Sequence, residues 1–522
     1  MLPKRLKIYY NNSTTDNKFD CYQLKEVLFM QRSAGLLMPI TSLPSPYGVG
    51  TMGQEARNFV NFLQTSKQKY WQILPVCPTG YGDSPYQSYS TFAGNPYWID
   101  LDDLSNSGLL KPDDYQHIHW FDDETKVNYG ILYNERIKVL RIACDNLRHH
   151  SLQADFQNFV QKEQKWLNNY ALFMALKQKF NGRPWQSWDE YYRYYSEDKV
   201  SNWMNELGQE VYYWQAIQYL FFRQWYALRQ YAEEHGIRFI GDLPIYVAAD
   251  SVDVWSNVGQ FLLDGNLNPT EVAGCPPDGF SPDGQLWGNP LYNWEKMAAD
   301  NFSWWMERLA HQFQIYQVLR LDHFRGFDAF YAVPFGESTA RNGRWCEGPG
   351  LKFFQRIKEC FPQNEMIAEN LGFVTESMEK LLADSGLPGM YVLEFAFFNR
   401  NENADYLPHN YIKNSCVYIG THDNNTVYGW MQEVPQDVVQ YAREYLHIDD
   451  NEGYNWGMMR AAWATVSNLA VVQVQDLLGL GSEGRINLPA TMGNNWVWRM
   501  QRGALTDDIA KRVAYFMDLY KR

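Results

Sequence analysis

Eight short apolar segments recur along the chain, and several are followed by residues with helical periodicity. Segments that are apolar throughout, without alternating polar residues, are typical of strands buried on both faces of a parallel sheet. The segments span residues 35–40, 70–76, 237–247, 316–321, 366–368, 390–397, 416–420 and 469–474. Eight such strands in series with helices predict the α/β class and a (β/α)8 TIM barrel.

The predicted strands are unevenly spaced, so the barrel must carry large insertions. The insertion after the second strand, at about 77–236, has mainly helical patterns. The insertion after the third strand, at about 248–315, is rich in Gly, Pro and Asn and is predicted to be an ordered, loop-rich segment. We expect one catalytic domain over 30–522 with no C-terminal β-sandwich, preceded by a loose N-terminal extension at 1–29.

The composition narrows the classes of partner. The 522 residues include 46 Lys and Arg against 60 Asp and Glu, and the formal charge of −14 disfavours nucleic acid and anionic membranes. No apolar run approaches the ~20 residues that span a bilayer, and residues 1–29 lack the features of a secretory signal. Seven cysteines without a CxxC pair predict reduced thiols. We therefore expect a cytoplasmic protein, either a monomer or a homodimer.

One glycine motif suggests a dinucleotide site, but the residues around it do not fit such a site. Gly48, Gly50 and Gly53 match the pattern GxGxxG, yet Pro44 and Pro46 separate them from the preceding strand. No acidic residue follows about 20 positions later, where a ribose would be bound. The chain also lacks P-loop, HExxH and GxSxG motifs. Phosphoryl transfer and serine-esterase chemistry therefore have no support in the sequence.

Three acidic residues stand where predicted barrel strands end. Asp322 follows the fourth strand, Glu369 the fifth and Asp423 the seventh. The carboxyl ends of barrel strands meet at one mouth, so these side chains are expected to converge there. Any one of them alone could be an ion pair or a helix cap, but three together favour a catalytic site because buried acids are costly. Arg320, on the same strand face as Asp322, is expected to keep that carboxylate ionised.

These acids allow two kinds of chemistry. His323 and His422 beside the carboxylates could form a divalent metal site, but neighbouring Asp and His side chains on a strand point in different directions. We therefore predict no metal. Cleavage of a glycosidic bond needs a carboxylate nucleophile, a protonated acid and stabilisation of positive charge, and the three acids supply these parts. The aromatic content of 16% fits either a large core or surfaces that stack on sugar rings.

Several longer motifs carry a resemblance that extends from Ser33 to Arg499. They are GLLMPITSLPSPYGVG from Gly35, GDSPYQSYSTFAGNPYWIDL from Gly82, GDLPIYVA from Gly241 and PPDGFSPDGQLWGNPLY from Pro276. With the three carboxylate motifs, they resemble the 4-alpha-glucanotransferases, the amylomaltases or disproportionating enzymes of glycoside hydrolase family 77.

The resemblance implies a role for each matching residue. Asp322 would be the nucleophile, Glu369 the general acid and base, and Asp423 the group that stabilises the transition state. The remaining residues implied to bind substrate are Arg320, His422, Asp242, Tyr86, Gln285, Trp287, Phe280 and Tyr81, with Tyr86 stacking on the donor ring and Tyr81 at a secondary glucan site. The sequence departs from the family pattern at Gly279, Asn370 and Asn425, where Tyr, Asp and Asp are frequent.

The expected reaction is the transfer of an α-1,4-glucan segment to the 4-hydroxyl of another glucan or glucose. It would proceed by retaining double displacement, without a cofactor, and the carboxyl groups of Asp322 and Glu369 would lie ~5 to 5.5 Å apart. The partners would be α-1,4-glucans and maltooligosaccharides, with glucose as acceptor or product. Two alternatives stay open: an α-glucan hydrolase of the amylase type and a non-catalytic glucan-binding protein.

Overall fold

A computed structural model describes residues 30–80, 82–277, 281–402 and 404–522. The predicted extension at 1–29 lies outside the described residues, as do Tyr81, Gly279 and Phe280. Among the residues that are described, no helix is both long and apolar enough to cross a membrane.

Eight parallel strands form the central sheet, and they correspond one by one to the eight predicted segments. Within the described ranges the strands are β1 (Ser33–Leu37), β2 (Tyr70–Gln72), β3 (Arg238–Leu243), β4 (Glu271–Cys275), β5 (Gln285–Pro290), β6 (Val318–Leu321), β7 (Ala329–Pro334), β8 (Arg344–Glu347), β9 (Glu365–Ala368), β10 (Gly389–Val392), β11 (Ser415–Tyr418) and β12 (Leu469–Gln473). The central sheet has the order β10-β11-β12-β1-β2-β3-β6-β9. The prediction of a (β/α)8 barrel is confirmed.

The two edges of this sheet, β9 and β10, meet and complete the ring. The Ala368 amide donates a hydrogen bond to the Pro388 carbonyl at 2.9 Å, and the Asn370 side chain accepts one from the Met390 amide at 2.6 Å. Asn370, one of the departures from the family pattern, therefore fastens the join between the fifth and sixth barrel strands.

Helices surround the barrel. Those of seven or more residues are α1 (Gln54–Thr65), α2 (Ile137–Leu147), α3 (Gln153–Lys179), α4 (Glu197–Glu206), α5 (Gly208–Glu234), α6 (Ser303–Ile315), α7 (Gly350–Cys360), α8 (Glu376–Ser385), α9 (Val427–Glu433), α10 (Gln436–Leu446), α11 (Tyr454–Ala464) and α12 (Asp507–Tyr520). Local sequence sets their ends: α8 begins where Thr375 accepts a hydrogen bond from the Met378 amide, and it stops at Gly386 with φ of 74°.

The two predicted insertions differ in how well the sequence indicated their structure. Between β2 and β3 lie α2 to α5, and α3 packs on α5 through aromatic pairs such as Phe156 with Tyr219 and Trp166 with Phe222. Between β3 and β6, the segment predicted to be loop-rich contains β4 and β5, which join β7 and β8 in a four-stranded antiparallel sheet. Gly and Asn are depleted in strands, so the Gly and Asn content of this segment led to a prediction of loops where these strands lie. The domain boundaries themselves stay a prediction.

The barrel interior changes from apolar to polar along its axis. The lower positions of neighbouring strands hold buried apolar side chains, among them Ile240, Val318 and Ile367. Because side chains alternate along a strand, the residues two positions further on form the next layer. In β3 and β6 that layer contains Asp242 and Arg320, which face each other in register. The charged layer therefore lies on an apolar floor and opens to the mouth of the barrel.

Candidate active site

Asp242 and Arg320 form the buried base of the site. The Arg320 Nη1 atom donates to both carboxylate oxygens of Asp242, each at 2.6 Å, and both side chains are almost fully buried. Gly241 permits this position, because a Cβ atom there would lie 2.2 Å from the Tyr316 ring. A buried ion pair of this kind costs desolvation energy, so it indicates a functional need for fixed charge.

Arg320 also contacts the two predicted catalytic carboxyl groups. Its Nη1 atom donates to Asp322 at 3.2 Å, and its Nη2 atom lies 3.6 Å from Glu369 Oε2. Backbone hydrogen bonds fix both acids at the strand ends, since the Asp322 amide donates to Leu243 O and the Glu369 amide to Leu321 O. One guanidinium group therefore joins three carboxyl groups from β3, β6 and β9.

The residue after Asp322 turns the chain toward Glu369. His323 has φ of 48°, in the left-handed region that is uncommon for residues other than glycine. In this conformation its amide donates to Glu369 Oε2, and the next amide, of Phe324, donates to the Glu369 carbonyl at 2.9 Å. The strained turn thus fixes Glu369 relative to Asp322.

Burial sets the protonation of the carboxyl pair. It raises the pKa of Glu369 to about 7, against the opposing effect of Arg320. Burial raises the pKa of Asp322 as well, Arg320 lowers it, and the charge of Glu369 raises it further. The titrations of the two groups therefore depend on each other. Arg320 donates to Asp322 at 3.2 Å, and its other terminal nitrogen lies 3.6 Å from Glu369.

Asp423 reaches the mouth from the loop after β11. It is more exposed than the other two acids, with 43% of its side chain accessible. The Asn487 side-chain amide donates to its Oδ1 atom at 2.6 Å, and Arg485 donates to its backbone carbonyl at 3.0 Å. His422 lies 3.4 Å from its carboxylate. An accessible, oriented carboxylate is suited to accept hydrogen bonds from sugar hydroxyl groups.

Tyr86 connects Asp242 to His422. Its hydroxyl donates to Asp242 at 2.7 Å and lies 2.8 Å from His422 Nε2. Because the hydroxyl proton is used for Asp242, the network assigns a proton to His422 Nε2. Burial lowers the pKa of His422, which favours the neutral ring. The Tyr86 ring stacks on His422 at 5.3 Å and packs on Trp496 at 5.8 Å, so it has a fixed orientation.

Gln285 and Trp287 approach the site from the antiparallel sheet. The indole nitrogen of Trp287 donates to Gln285 Oε1 at 3.1 Å. The Trp287 ring packs edge-on against His323, with ring centroids 4.9 Å apart. Both side chains are half-buried, and Trp287 contacts the residue that follows Asp322. Of the predicted site residues within the described ranges, all lie in this one region.

Sequence reasoning missed two residues of the site, Asn487 and Trp496. Both follow the last barrel strand and match none of the motifs that indicated the acids. Asn425, another departure from the family pattern, donates to Glu433 and Ser482 at 2.7 and 2.9 Å and thus holds the Asp423 loop. Across the described ranges, no three His, Cys, Asp or Glu side chains are grouped to hold a metal ion; the predicted lack of a cofactor stays a prediction.

The fold and the site together define a class of protein. A parallel barrel with two coupled carboxyl groups, a third acid and stacked aromatic rings at its mouth is typical of enzymes that cleave glycosidic bonds through a carboxylate nucleophile.

Comparison with known proteins makes this class specific. The sequence profile described as 4-alpha-glucanotransferase, glycoside hydrolase family 77, matches residues 38–506. The 4-alpha-glucanotransferase of Clostridium butyricum is 46% identical over 93% of this chain and 100% of its own length, and that of Thermus thermophilus is 42% identical over 94% and 99%. The chain therefore belongs to the 4-alpha-glucanotransferase family, and it is an enzyme of that class.

A solved structure supports the same conclusion. Amylomaltase from Streptococcus agalactiae, in complex with acarbose, superimposes with a TM-score of 0.92 at 40% identity, covering 94% of this chain and 100% of its own. Amylomaltase from Corynebacterium glutamicum, at 18% identity and a TM-score of 0.75 over 93% of this chain and 75% of its own, shares the fold.

Proposed function

We propose that this enzyme transfers a segment of an α-1,4-glucan to the 4-hydroxyl of another glucan or of glucose by retaining double displacement. Membership in the 4-alpha-glucanotransferase family supports the reaction. The observation that carries the assignment of roles is the contact of Arg320 with Asp242, Asp322 and Glu369 at once. It supports an ionised nucleophile beside a protonated acid.

In the first displacement, the Asp322 carboxylate attacks the anomeric carbon of the donor. The bond from that carbon to the glycosidic oxygen breaks, and Glu369 gives its proton to the departing oxygen. A β-linked glycosyl ester on Asp322 remains, and the shortened glucan or glucose leaves. Asp423, which is accessible and held by Asn487, would stabilise the positive charge that develops on the sugar ring.

In the second displacement, the Glu369 carboxylate takes a proton from the 4-hydroxyl of the acceptor. That oxygen attacks the anomeric carbon, the ester bond breaks, and the Asp322 carboxylate is restored. Each displacement inverts the configuration of the anomeric carbon, so the two together restore an α-1,4 bond. The bond formed is equivalent to the bond broken, so the reaction needs no cofactor. Exhaustive chelation tests this, and the enzyme is expected to keep full activity.

The other site residues are assigned by where they lie. We propose that Asp242, Tyr86 and His422 bind the donor sugar. Arg320 is proposed to balance the negative charge of the carboxyl groups. We assign Gln285 and Trp287 to the leaving and incoming sugars, because they border the mouth beside Asp322. Phe280 is proposed to contact the same sugars and Tyr81 a secondary glucan site, on the resemblance alone.

Disproportionation of maltotriose tests this function. The purified enzyme is expected to produce a ladder of longer maltooligosaccharides together with glucose, and Asp322→Ala is expected to abolish both. Glucose and maltose without longer products would instead indicate an α-glucan hydrolase. Unchanged maltotriose would indicate a protein that only binds glucans.

We also propose a cytoplasmic location. Among the described cysteines, Cys77, Cys144 and Cys416 are buried and form no disulfide, which fits a reducing compartment. The charge of −14 disfavours close self-association only weakly, so both a monomer and a homodimer are compatible with it. Cell fractionation tests the location, and sedimentation of the purified enzyme distinguishes the two assemblies.

A further inference from the structure

Two exposed aromatic rings lie beyond the catalytic pair and take no part in the chemistry assigned above. Trp345 is in β8 and Phe373 is in the loop after β9; they are 38% and 52% exposed. Their ring centroids are 6.5 Å apart and the rings are inclined by 59°. Large exposed rings that lie together are costly in water, so they indicate a binding surface. We call this pair the aromatic platform.

The Trp345 ring is fixed before any ligand binds. Arg325 places its guanidinium carbon 4.4 Å from the ring centroid, and Tyr331 packs edge-on at 5.3 Å. Arg325 is held in turn by Thr375, whose hydroxyl accepts a hydrogen bond at 2.7 Å. Fixing the ring in advance reduces the entropy lost when a ligand stacks on it.

The platform lies close to the catalytic carboxyl groups along the chain. Phe373 is four residues after Glu369, and Arg325 is three residues after Asp322. A fully extended chain spans at most about 3.6 Å per residue, so the corresponding Cα atoms are within about 14 and 11 Å. These distances fit a polymer that continues beyond the sugars at the site of bond cleavage.

We propose that the aromatic platform, Trp345 and Phe373, is a stacking subsite for the distal part of the acceptor glucan, and of the leaving glucan, beyond Trp287. The inference rests on the proposed function. Glu369 exchanges its proton with the leaving and incoming oxygen atoms, and the platform follows Glu369 in the chain; Asp242, Tyr86 and His422 hold the donor sugar from other strands. Aromatic faces carry partial negative charge and attract the C–H groups of a sugar ring.

A glucan suits this surface better than a protein partner does. The platform consists of two rings, and in β8 the exposed charged residues Arg344 and Glu347 lie on either side of Trp345 along the chain. A stable protein interface buries about 800 Å² on each partner, and two rings supply only a small part of that area. A chain of sugar rings, which presents alternating apolar faces and hydroxyl groups, needs no wider apolar surface.

The test compares short and long acceptors. Trp345→Ala and Phe373→Ala are assayed for transfer with glucose and with amylose as acceptor, from the same maltotriose donor. We expect the KM for amylose to rise about three- to tenfold in each variant, with kcat and the KM for glucose unchanged. Trp345→Phe should restore most of the amylose KM. Tyr515→Ala, which removes a 60% exposed ring on α12, is the matched control.

A second measurement does not depend on activity. Retardation of the protein in a gel that contains amylose should decrease in Phe373→Ala and stay the same in Tyr515→Ala. Because the Phe373 side chain is 52% exposed, its loss should leave the melting temperature unchanged even if Trp345→Ala proves unstable. Equal changes in KM for glucose and amylose, or unchanged retardation in Phe373→Ala, would contradict the proposal that the platform is a glucan subsite. Failure of the unaltered enzyme to extend maltotriose would overturn the proposed function instead.

Discussion

The residues that we assign to the donor sugar and those that we assign to the acceptor form two differently built sides of the catalytic pair. On the donor side, Asp242, Tyr86 and His422 are joined by polar contacts of 2.7 to 2.8 Å, and Asp242 is completely buried. On the acceptor side, Trp287 is half-buried and the aromatic platform is exposed. A donor sugar must be held in one geometry as its anomeric carbon reacts, whereas acceptors of many lengths must bind. Fixed polar groups serve the first need and flat rings serve the second.

The largest effect is expected from the carboxyl pair that both sides share. Glu369→Gln keeps the shape of the side chain but can neither give nor take a proton, so the rate of transfer from maltotriose should fall by about 10²- to 10⁴-fold. The measurement is kcat from the initial rate of glucose release. Binding of maltotriose, followed by calorimetry, should persist in this variant. A rate within twofold of the unaltered enzyme would contradict the role of Glu369.

The pH dependence of the unaltered enzyme should report the same group. Because the pKa of Glu369 is raised to about 7, its protonated form is present below that pH and is lost above it. We therefore expect kcat/KM to fall as the pH rises through about 7. An alkaline limb that begins only above pH 9 would show that Glu369 is not the acid of the first displacement.

The next largest effect should come from Arg320→Lys. Lysine keeps the positive charge, but one ammonium group cannot make the forked contacts that Arg320 makes to Asp242, Asp322 and Glu369. Without the forked contacts the carboxyl groups are held less firmly, and we expect kcat/KM to fall by at least about 100-fold. The acid limb of the pH profile should move upward, because Arg320 opposes the raised pKa of Asp322. An unmoved acid limb would count against this explanation.

A matched pair of conservative substitutions should separate the two sides. Tyr86→Phe removes the hydroxyl that contacts Asp242 and His422, and a hydrogen bond to a charged group contributes about 1.5 to 3 kcal/mol. We expect kcat to fall by about 10- to 100-fold with any acceptor. Trp287→Phe keeps an aromatic ring and should change mainly the acceptor KM, by less than about tenfold. If both variants changed kcat alone, the distinction between the sides would fail.

The smallest effect on activity, with a clear effect on stability, is expected from Asp476→Asn. Asp476 is buried beneath the loop that carries Asp423, where it accepts a hydrogen bond from the Val427 amide at 2.8 Å, and burial raises its pKa to about 7. The unfolded value is about 3.9. The stabilising protonation is therefore complete below about pH 4 and is lost as the pH rises to 7, a change of up to about 4 kcal/mol.

The side-chain amide introduced by Asp476→Asn cannot ionise, and its oxygen can still accept the hydrogen bond from the Val427 amide. We therefore expect this variant to unfold at a higher urea concentration than the unaltered enzyme at pH 8, and at a similar one near pH 4. Transfer activity at pH 7 should change less than about threefold. The same urea midpoint difference at both pH values would contradict a buried, proton-dependent Asp476.

The sequence predicted the eight barrel strands and the positions of the three acids because those features are local. Each apolar segment could be recognised by itself, and each acid lies within three residues of the end of one. The strands of the antiparallel sheet were missed; β4 contains Gly, and β5 contains Gly and Asn, residues that are depleted in strands. Asn487 was missed for another reason. It contacts Asp423 across 64 residues, and no spacing rule connects them.

Arg320 makes one contact that the sequence predicts and two that it does not. Its position two residues before Asp322 predicted one contact from the alternation of side chains along a strand. Its contact with Asp242, 78 residues away, depends on the register between β3 and β6. Its contact with Glu369 depends on the register between β6 and β9. Periodicity within a strand can be read from sequence, whereas the alignment of neighbouring strands comes from packing of the whole barrel.

The central claim is that Asp322 forms a covalent bond to the donor sugar, and direct trapping tests it. The Glu369→Gln variant is mixed with α-maltotriosyl fluoride, whose fluoride leaves without needing a proton, and the protein is digested and analysed by mass spectrometry. We predict that the peptide containing Asp322 gains the mass of one maltotriosyl group, and that Asp322→Ala in the same background gains nothing. Attachment at another residue, or fluoride release without any adduct in the absence of acceptor, would contradict the account.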